Sequence, residues 1–273
     1  MTGLAAVSTV VQANGLRHRV LQFGPEQAPD LLVLPGITMP AAGVAFLARA
    51  LCDNFRVHVP DLRGRGESDR AEPGGYTLPD YADDVAGLIE VLGLSRPTVL
   101  GHSLGARIAA AHAVRHGRST TGAVVLVDPP VTGPGQLPYP TPRSSFLLQL
   151  EQARRGTTAA ELRGHYPRWP EAELELRAQI LTTCDEQAVM ETYTCFETED
   201  FLGLWDQLDQ PALCIRGGDS PVVTSIDADE LHRRNPRVPI VTVPDAGHMV
   251  PWDNLPGFLQ VLAEHLPVST RPS

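Results

Sequence analysis

The chain has 273 residues, enough for one large hydrophobic core or for one core with a smaller added unit. Its 22 basic and 32 acidic residues give a formal net charge of -10, which argues against nucleic acid or an anionic membrane surface as a partner. The four cysteines show neither a C-x-x-C pair nor zinc-ligand spacing, so we expect reduced, buried thiols. Since the N-terminus lacks the basic region of a signal peptide and no apolar run is long enough to span a membrane, we expect a soluble cytoplasmic protein.

Short apolar runs alternate with helical stretches along most of the chain. Six runs have the length and composition of buried strands, and they lie near residues 30, 55, 98, 122, 211 and 239. Between them, residues 79–92 and 104–116 keep the apolar spacing of helices that cover a sheet. This alternation predicts an α/β fold with a mostly parallel central sheet flanked by helices.

The alternation stops between Pro129 and Gln210. A Pro/Gly-rich passage, PPVTGPGQLPYPTPRSS, precedes helical stretches at residues 146–155, 172–184 and 186–196. An insertion at this point would fold over the carboxyl ends of the strands, where open α/β sheets bind ligands. We therefore predict a core of residues 1–128 and 211–273, with a helical cap at residues 129–210 that shapes a substrate pocket.

Residues 101–105, GHSLG, fit the G-x-S-x-G pattern of a nucleophile elbow. The pattern is short, but a predicted strand precedes it and a predicted helix follows it, which is the context that this sharp turn requires. Glycines on both sides of the serine would relieve crowding against the adjoining strand and helix. The pattern therefore predicts Ser103 as a nucleophile.

A serine hydroxyl needs a base to accept its proton, and the chain has nine histidines. Seven of them lie in strands, helices or the cap without a glycine or an acidic partner nearby, and the turn is expected to point His102 away from Ser103. His248 instead lies in VPDAGHMVPWDN, between the last apolar run and a final helix, and follows two small residues. It also completes the chain order serine, acid, histidine, so we predict His248 as the general base.

Two acids compete for the third position. Asp128 ends AVVLVDPP, and Asp219 lies in CIRGGDSPVV, one strand further along the chain. Either carboxylate could simply stabilise a turn, and neighbouring parallel strands could deliver either one to the same cleft. Prolines follow Asp128 and should aim it rigidly, whereas Asp219 follows two glycines. We favour Asp128.

Stabilising the negative charge of an acyl-transfer intermediate requires backbone N–H groups. One is expected from Leu104, the residue after the nucleophile. The other is expected from the loop VLPGITMP, where Ile37 is our choice.

The chain resembles the α/β-hydrolase superfamily through PGITMP, DLRGRGESD, GHSLGAR, LVDPP and DAGHMVPW. Within it, VLVDPPVTGPGQLPYP, GHSLGAR, TTCDEQAV and DAGHMVPWDNLPGF are similar to the N-formylmaleamate deformylase family of nicotinate degradation, and more distantly to hydrolases of acetamidomethylene succinate. The resemblance implies an amidohydrolase without metal or cofactor. Ser103 would attack the formyl carbonyl, His248 would pass the proton to the leaving nitrogen, and water would cleave the formyl-enzyme. It implies Asp128 as the acid, whereas the wider superfamily keeps its acid close to the position of Asp219.

A small anionic amide substrate would require a cation or polar N–H donors in the pocket. Arg107, Arg143 and Arg168 are the candidates, although each could equally be a surface arginine. Two alternatives remain open. One is a carboxylesterase or C–C bond hydrolase with the same triad, favoured if Asp219 is the acid, and the other is a ligand receptor that has this fold without turnover.

Overall fold

A computed structural model describes residues 6–266 of the chain. Within that range, eight strands form one sheet in the order β1-β2-β4-β3-β5-β6-β7-β8, in which β3 to β8 are parallel and β1 and β2 are antiparallel to their neighbours. The strands are β1 (Val7–Ala13), β2 (Leu16–Phe23), β3 (Asp30–Leu34), β4 (Arg56–Pro60), β5 (Thr98–His102), β6 (Ala123–Val127), β7 (Ala212–Gly217) and β8 (Ile240–Val243). The predicted mostly parallel α/β fold is confirmed.

The sequence analysis missed the first two strands. They form a hairpin whose two-residue turn is Asn14-Gly15, and both turn residues have positive φ, 48° and 78°. An Asn-Gly pair is the sequence preferred for this tight turn, since asparagine and glycine tolerate positive φ. The Asn-Gly dipeptide is therefore a sequence pattern that indicates this hairpin.

Helices cover both faces of the sheet. They are α1 (Ala45–Leu51), α2 (Leu78–Val91), α3 (Leu104–His116), α4 (Arg143–Arg155), α5 (Ala159–Leu162), α6 (Glu171–Ile180), α7 (Glu186–Thr198), α8 (Phe201–Gln207), α9 (Ser225–Arg234), α10 (Val250–Asp253) and α11 (Leu255–His265). A capping box between Thr77 and Asp80 fixes the start of α2. No helix within residues 6–266 combines the length and the apolar character needed to cross a membrane.

The core consists of two main layers, one on each face of the sheet. In β3, Leu32 and Leu34 pack into one layer while Leu31 and Val33 pack into the other. Side chains alternate along a strand, so a strand covered on both faces must be apolar at every position. This explains why the parallel strands appear in the sequence as continuous apolar runs.

The segment between β6 and β7 contains α4 to α8. Residues of α4 and α6, and of the loops that precede these two helices, line the cavity described below. The last of these helices, α8, packs against α3 and α9. Although α8 lies within the predicted cap of residues 129–210, it therefore packs against helices that flank the sheet. The division into core and cap as folding units stays a prediction.

Candidate active site

Ser103 occupies the sharp turn between β5 and α3, with a φ of 55° and a ψ of -116°. A residue other than glycine rarely adopts positive φ, so this conformation is strained and must be held by its surroundings. A Cβ at Gly101 would lie 2.0 Å from the carbonyl oxygen of Gly105, and one at Gly105 would lie 2.1 Å from that of Leu34. Neither glycine can be replaced without moving the backbone, as the elbow pattern requires.

The structure brings Ser103, His248 and Asp128 into one chain of hydrogen bonds. The Ser103 hydroxyl is 3.0 Å from Nε2 of His248, whose Nδ1 is 2.7 Å from Oδ2 of Asp128. A carboxylate accepts, so Nδ1–H donates to Asp128, which leaves Nε2 as the acceptor for the serine proton. This is the tautomer that a histidine base needs.

The side chain of Asp128 is fully buried and held by more than His248. The hydroxyl of Ser220 donates to Oδ2 of Asp128 over 2.5 Å, and the backbone N–H of Gly217 donates to Oδ1 over 3.3 Å. Ser220 Oγ in turn accepts the N–H groups of Val222 and Val223, so its proton points to Asp128. Sequence reasoning missed Ser220, although a serine before a proline is a turn signal.

Asp219 lies next to Ser220 but does not reach His248. Its carboxylate is paired with Arg168 over 2.7 Å, and its side chain is 59% exposed. The N–H of Asp219 donates to the carbonyl of Ala246. Between the two acids, Asp128 is therefore the one that contacts His248, and its catalytic role stays a prediction.

His102 supports the loop that carries His248. Its Nε2–H donates to the carbonyl oxygen of His248 over 2.9 Å, and the two rings lie 4.9 Å apart. Burial, with the nearby His248 as a smaller cause, lowers the pKa of His102 to about 3. His102 is therefore a neutral positioning group at ordinary pH and holds the backbone of His248 in place.

The loop containing Ile37 lies beside Ser103 in the cavity wall and is held by two buried guanidinium groups. Arg65 Nε donates to the carbonyl of Ile37 over 3.0 Å, and Arg177 donates to the carbonyl and the hydroxyl of Thr38. Leu104 begins α3, so its N–H has no acceptor inside the helix and is free to donate to an oxyanion. The placement of Ile37 and Leu104 suits the predicted oxyanion hole, whose role stays a prediction.

A cavity of about 500 Å³ opens above Ser103. Its lining combines polar groups with aromatic residues of the insertion, among them Tyr139, Phe146, Tyr166 and Trp169. Such a volume suits a small organic molecule held by a few polar contacts. Sequence reasoning missed these aromatic residues because their positions depend on how the insertion folds.

The structure separates the three predicted substrate arginines. Arg168 lines the cavity, but Arg107 and Arg143 lie outside its described lining. Arg107 is fully buried and donates to carbonyls in the insertion, and Nε of Arg143 contacts the sulfur of Met190. The structure therefore gives no support to Arg107 or Arg143 as a substrate ligand, and their predicted role stays a prediction. Arg177, which was not predicted, does line the cavity.

Within the part of the chain that the structure describes, no group of three or more His, Cys, Asp or Glu residues could hold a metal ion.

A family model for the α/β hydrolase family matches residues 31–258. The chain therefore belongs to the α/β hydrolase family, as its sheet, its elbow and its Ser-His-Asp geometry indicate.

Two relatives are similar to this chain over most of their length. The N-formylmaleamate deformylase of Pseudomonas putida is 35% identical over 256 residues, which cover 94% of this chain and 95% of that protein. The 2-(acetamidomethylene)succinate hydrolase of Mesorhizobium japonicum is 30% identical over 230 residues, covering 81% of this chain and 82% of that protein.

The solved structures agree with these relatives. The crystal structure of the N-formylmaleamic acid deformylase Nfo from Pseudomonas putida has a TM-score of 0.88 at 38% identity, covering 94% of this chain and 100% of that one. An E-2-(acetamidomethylene)succinate hydrolase structure has a TM-score of 0.81 at 26% identity, with coverage of 96% and 99%.

Proposed function

We propose that this protein is a serine amidohydrolase that cleaves N-formylmaleamate to maleamate and formate. The observation that carries the proposal is the hydrogen-bonded chain Asp128–His248–Ser103 at the base of a cavity of small-molecule size. The full-length similarity to N-formylmaleamate deformylase supports this substrate, and the relative that acts on acetamidomethylene succinate supports an amide-cleaving chemistry.

In the proposed mechanism, His248 accepts the proton of Ser103 as the Ser103 oxygen attacks the formyl carbon. The N–H groups of Ile37 and Leu104 stabilise the resulting oxyanion. The C–N bond then breaks, His248 gives its proton to the departing nitrogen, and maleamate leaves. Water, activated by the same histidine, releases formate from the acyl-enzyme.

The carboxylate of the substrate pairs with Arg168 in this proposal. Arg168 lines the cavity and its guanidinium is paired with Asp219, an acid that is itself largely exposed. An exposed ion pair contributes little free energy, so a substrate carboxylate can take the place of Asp219 at low cost. Arg177 is less available because both of its terminal nitrogens already donate to Thr38.

The alternative of a carboxylesterase or C–C bond hydrolase with the same triad is favoured if Asp219 is the acid. The pairing of Asp219 with Arg168, and of Asp128 with His248, supports the amidohydrolase proposal over this alternative.

The test compares formate release from N-formylmaleamate with cleavage of a neutral p-nitrophenyl ester. We expect wild-type protein to release formate, and Arg168→Met to raise KM for N-formylmaleamate about tenfold while leaving KM for the neutral ester unchanged. Arg143→Met is the matched control, because it removes an arginine of the insertion outside the cavity lining. Ester cleavage without formate release would overturn the deformylase assignment. Equal changes in KM for both substrates would remove Arg168 as the anion partner.

A further inference from the structure

The hydroxyl of Tyr139 lies against a reacting atom, although the mechanism above gives it no role. The phenol oxygen is 3.3 Å from Nε2 of His248, and the tyrosine is 5% exposed. Its ring packs among Phe146, Tyr193 and Phe196, with centroid distances of 6.2, 6.3 and 5.1 Å. The apolar rings hold the body of the side chain while its polar end meets the triad.

The backbone around Tyr139 is stiff as well. Pro138 and Pro140 flank the tyrosine in the sequence LPYP. A proline fixes its own φ, and it restricts the preceding residue to extended conformations. The insertion therefore presents the phenol at a defined position over the triad, as a preorganised hydrogen-bonding group must be.

In the resting site, two hydroxyl groups compete for one lone pair. Nε2 of His248 accepts from Ser103 over 3.0 Å, and the phenol of Tyr139 is a second donor directed at the same nitrogen. Before reaction, a second donor at Nε2 does not help His248 to accept the proton of Ser103. Once His248 has taken the serine proton, however, Nε2–H and the phenol O–H are adjacent donors, and both need acceptors.

The departing amide supplies two acceptors side by side. We propose that Tyr139 is a catalytic residue that donates a hydrogen bond to the carboxamide oxygen of the leaving group while His248 protonates its nitrogen. The inference rests on the proposed function, because it assigns the leaving group as a carboxamide. The C–N bond breaks, its electron pair goes to nitrogen and is delocalised onto the carboxamide oxygen, Nε2 supplies the proton, and the phenol keeps its own.

The surroundings suit a donor that does not ionise. Burial raises the pKa of Tyr139, so the phenol remains protonated at neutral pH. The apolar rings around it also strengthen a hydrogen bond to a developing negative charge.

Tyr139→Phe tests the proposal, since it removes one oxygen and keeps the ring packing. We expect kcat/KM for N-formylmaleamate to fall about 10²-fold, and that for a p-nitrophenyl ester, whose leaving group needs little help, to fall less than about threefold. Across N-formyl carboxamides of graded leaving-amide pKa, the dependence of log kcat/KM on that pKa should be steeper in the variant than in the wild type. Tyr193→Phe is the matched control, because it removes a phenol from the same aromatic cluster outside the cavity lining.

An equal loss for all leaving groups would show a structural role and overturn the inference, as would an unchanged rate for all. A thermal melt of Tyr139→Phe checks that the variant is folded. The two proposals fail separately. Absence of formate release from N-formylmaleamate by the wild type contradicts the proposed function, whereas the series of other N-formyl carboxamides tests the role of Tyr139.

Discussion

The two carboxylates that the sequence left in competition differ sharply in their surroundings. Asp128 is fully buried, accepts from His248, Ser220 and the N–H of Gly217, and has a φ of 49°. Asp219 is largely exposed and paired with Arg168. A carboxylate that orients a histidine must be held rigidly, which the surroundings of Asp128 provide.

Asparagine substitutions should therefore separate the two acids. Asp128→Asn should lower kcat by about 10³ to 10⁴, because the amide cannot stabilise the required tautomer and charge of His248. Asp219→Asn should change kcat less than about tenfold. Steady-state kinetics of both variants on one substrate make the comparison, and the reverse ranking would assign the acid to Asp219.

Single residues were predictable to different degrees. The glycines around Ser103 and the small residues before His248 are local features, so they pointed to the nucleophile and the base directly. The positions of Tyr139 and Arg177 in the cavity wall depend on where the insertion meets the core. That contact cannot be predicted from the local sequence pattern.

Among the elements, α3 follows the elbow directly and also carries Arg107, whose hydrogen bonds to both ends of the insertion we call the clasp. Arg107, on the first turn of α3, donates to the carbonyls of Pro130 and Thr132 where the insertion leaves the core. It also donates to the carbonyl of Glu199, where the chain returns. Burial lowers the pKa of Arg107 to about 10, and the rings of Phe196 and Phe201 flank its guanidinium.

Replacing this clasp should destabilise the fold. We expect Arg107→Lys to lower the free energy of unfolding by about 2–4 kcal/mol. The single ammonium group of lysine cannot donate to all three carbonyls that the guanidinium contacts, so some of them would stay buried without a donor. Urea denaturation measures the change. Arg115→Lys is the control on the same helix, where the exposed pair with Asp83 should contribute less than about 1 kcal/mol. Equal stability of the Arg107 and Arg115 variants would contradict the clasp.

Elements with a strong local pattern were predicted well. The predicted helix at residues 104–116 coincides with α3, and the six predicted strands correspond to β3 to β8. The clasp of Arg107 could not be read in the same way, since its acceptors lie at residues 130, 132 and 199 and are backbone carbonyls that any sequence provides.

For the whole molecule, buried histidines couple stability to pH. His112 on α3 donates from Nδ1 to the carbonyl of Ala82 on α2, and burial lowers its pKa from 6.5 to about 4. Between those two values the unfolded chain takes up a proton at this position and the folded chain does not. Stability should therefore fall as the pH is lowered from 6.5 towards 4.

His112→Gln removes this titration while keeping an N–H donor. Between pH 6.5 and pH 4 the wild type should lose up to about 3 kcal/mol more stability than the variant. Denaturant unfolding at a series of pH values measures both proteins, and His232→Gln, at an exposed position, controls for loss of a histidine. Parallel pH profiles for wild type and His112→Gln would contradict the assignment.

The account as a whole depends on Ser103 being the nucleophile. The most direct test is kcat for formate release from N-formylmaleamate by Ser103→Ala, with the fold checked by its circular dichroism and melting temperature. Ser144→Ala, at an exposed position on α4, is the matched control and should keep the wild-type rate. We predict a loss of about 10³-fold or more in a folded Ser103 variant, because the covalent step then has no nucleophile. A folded Ser103→Ala protein that releases formate at a near-normal rate would contradict the account.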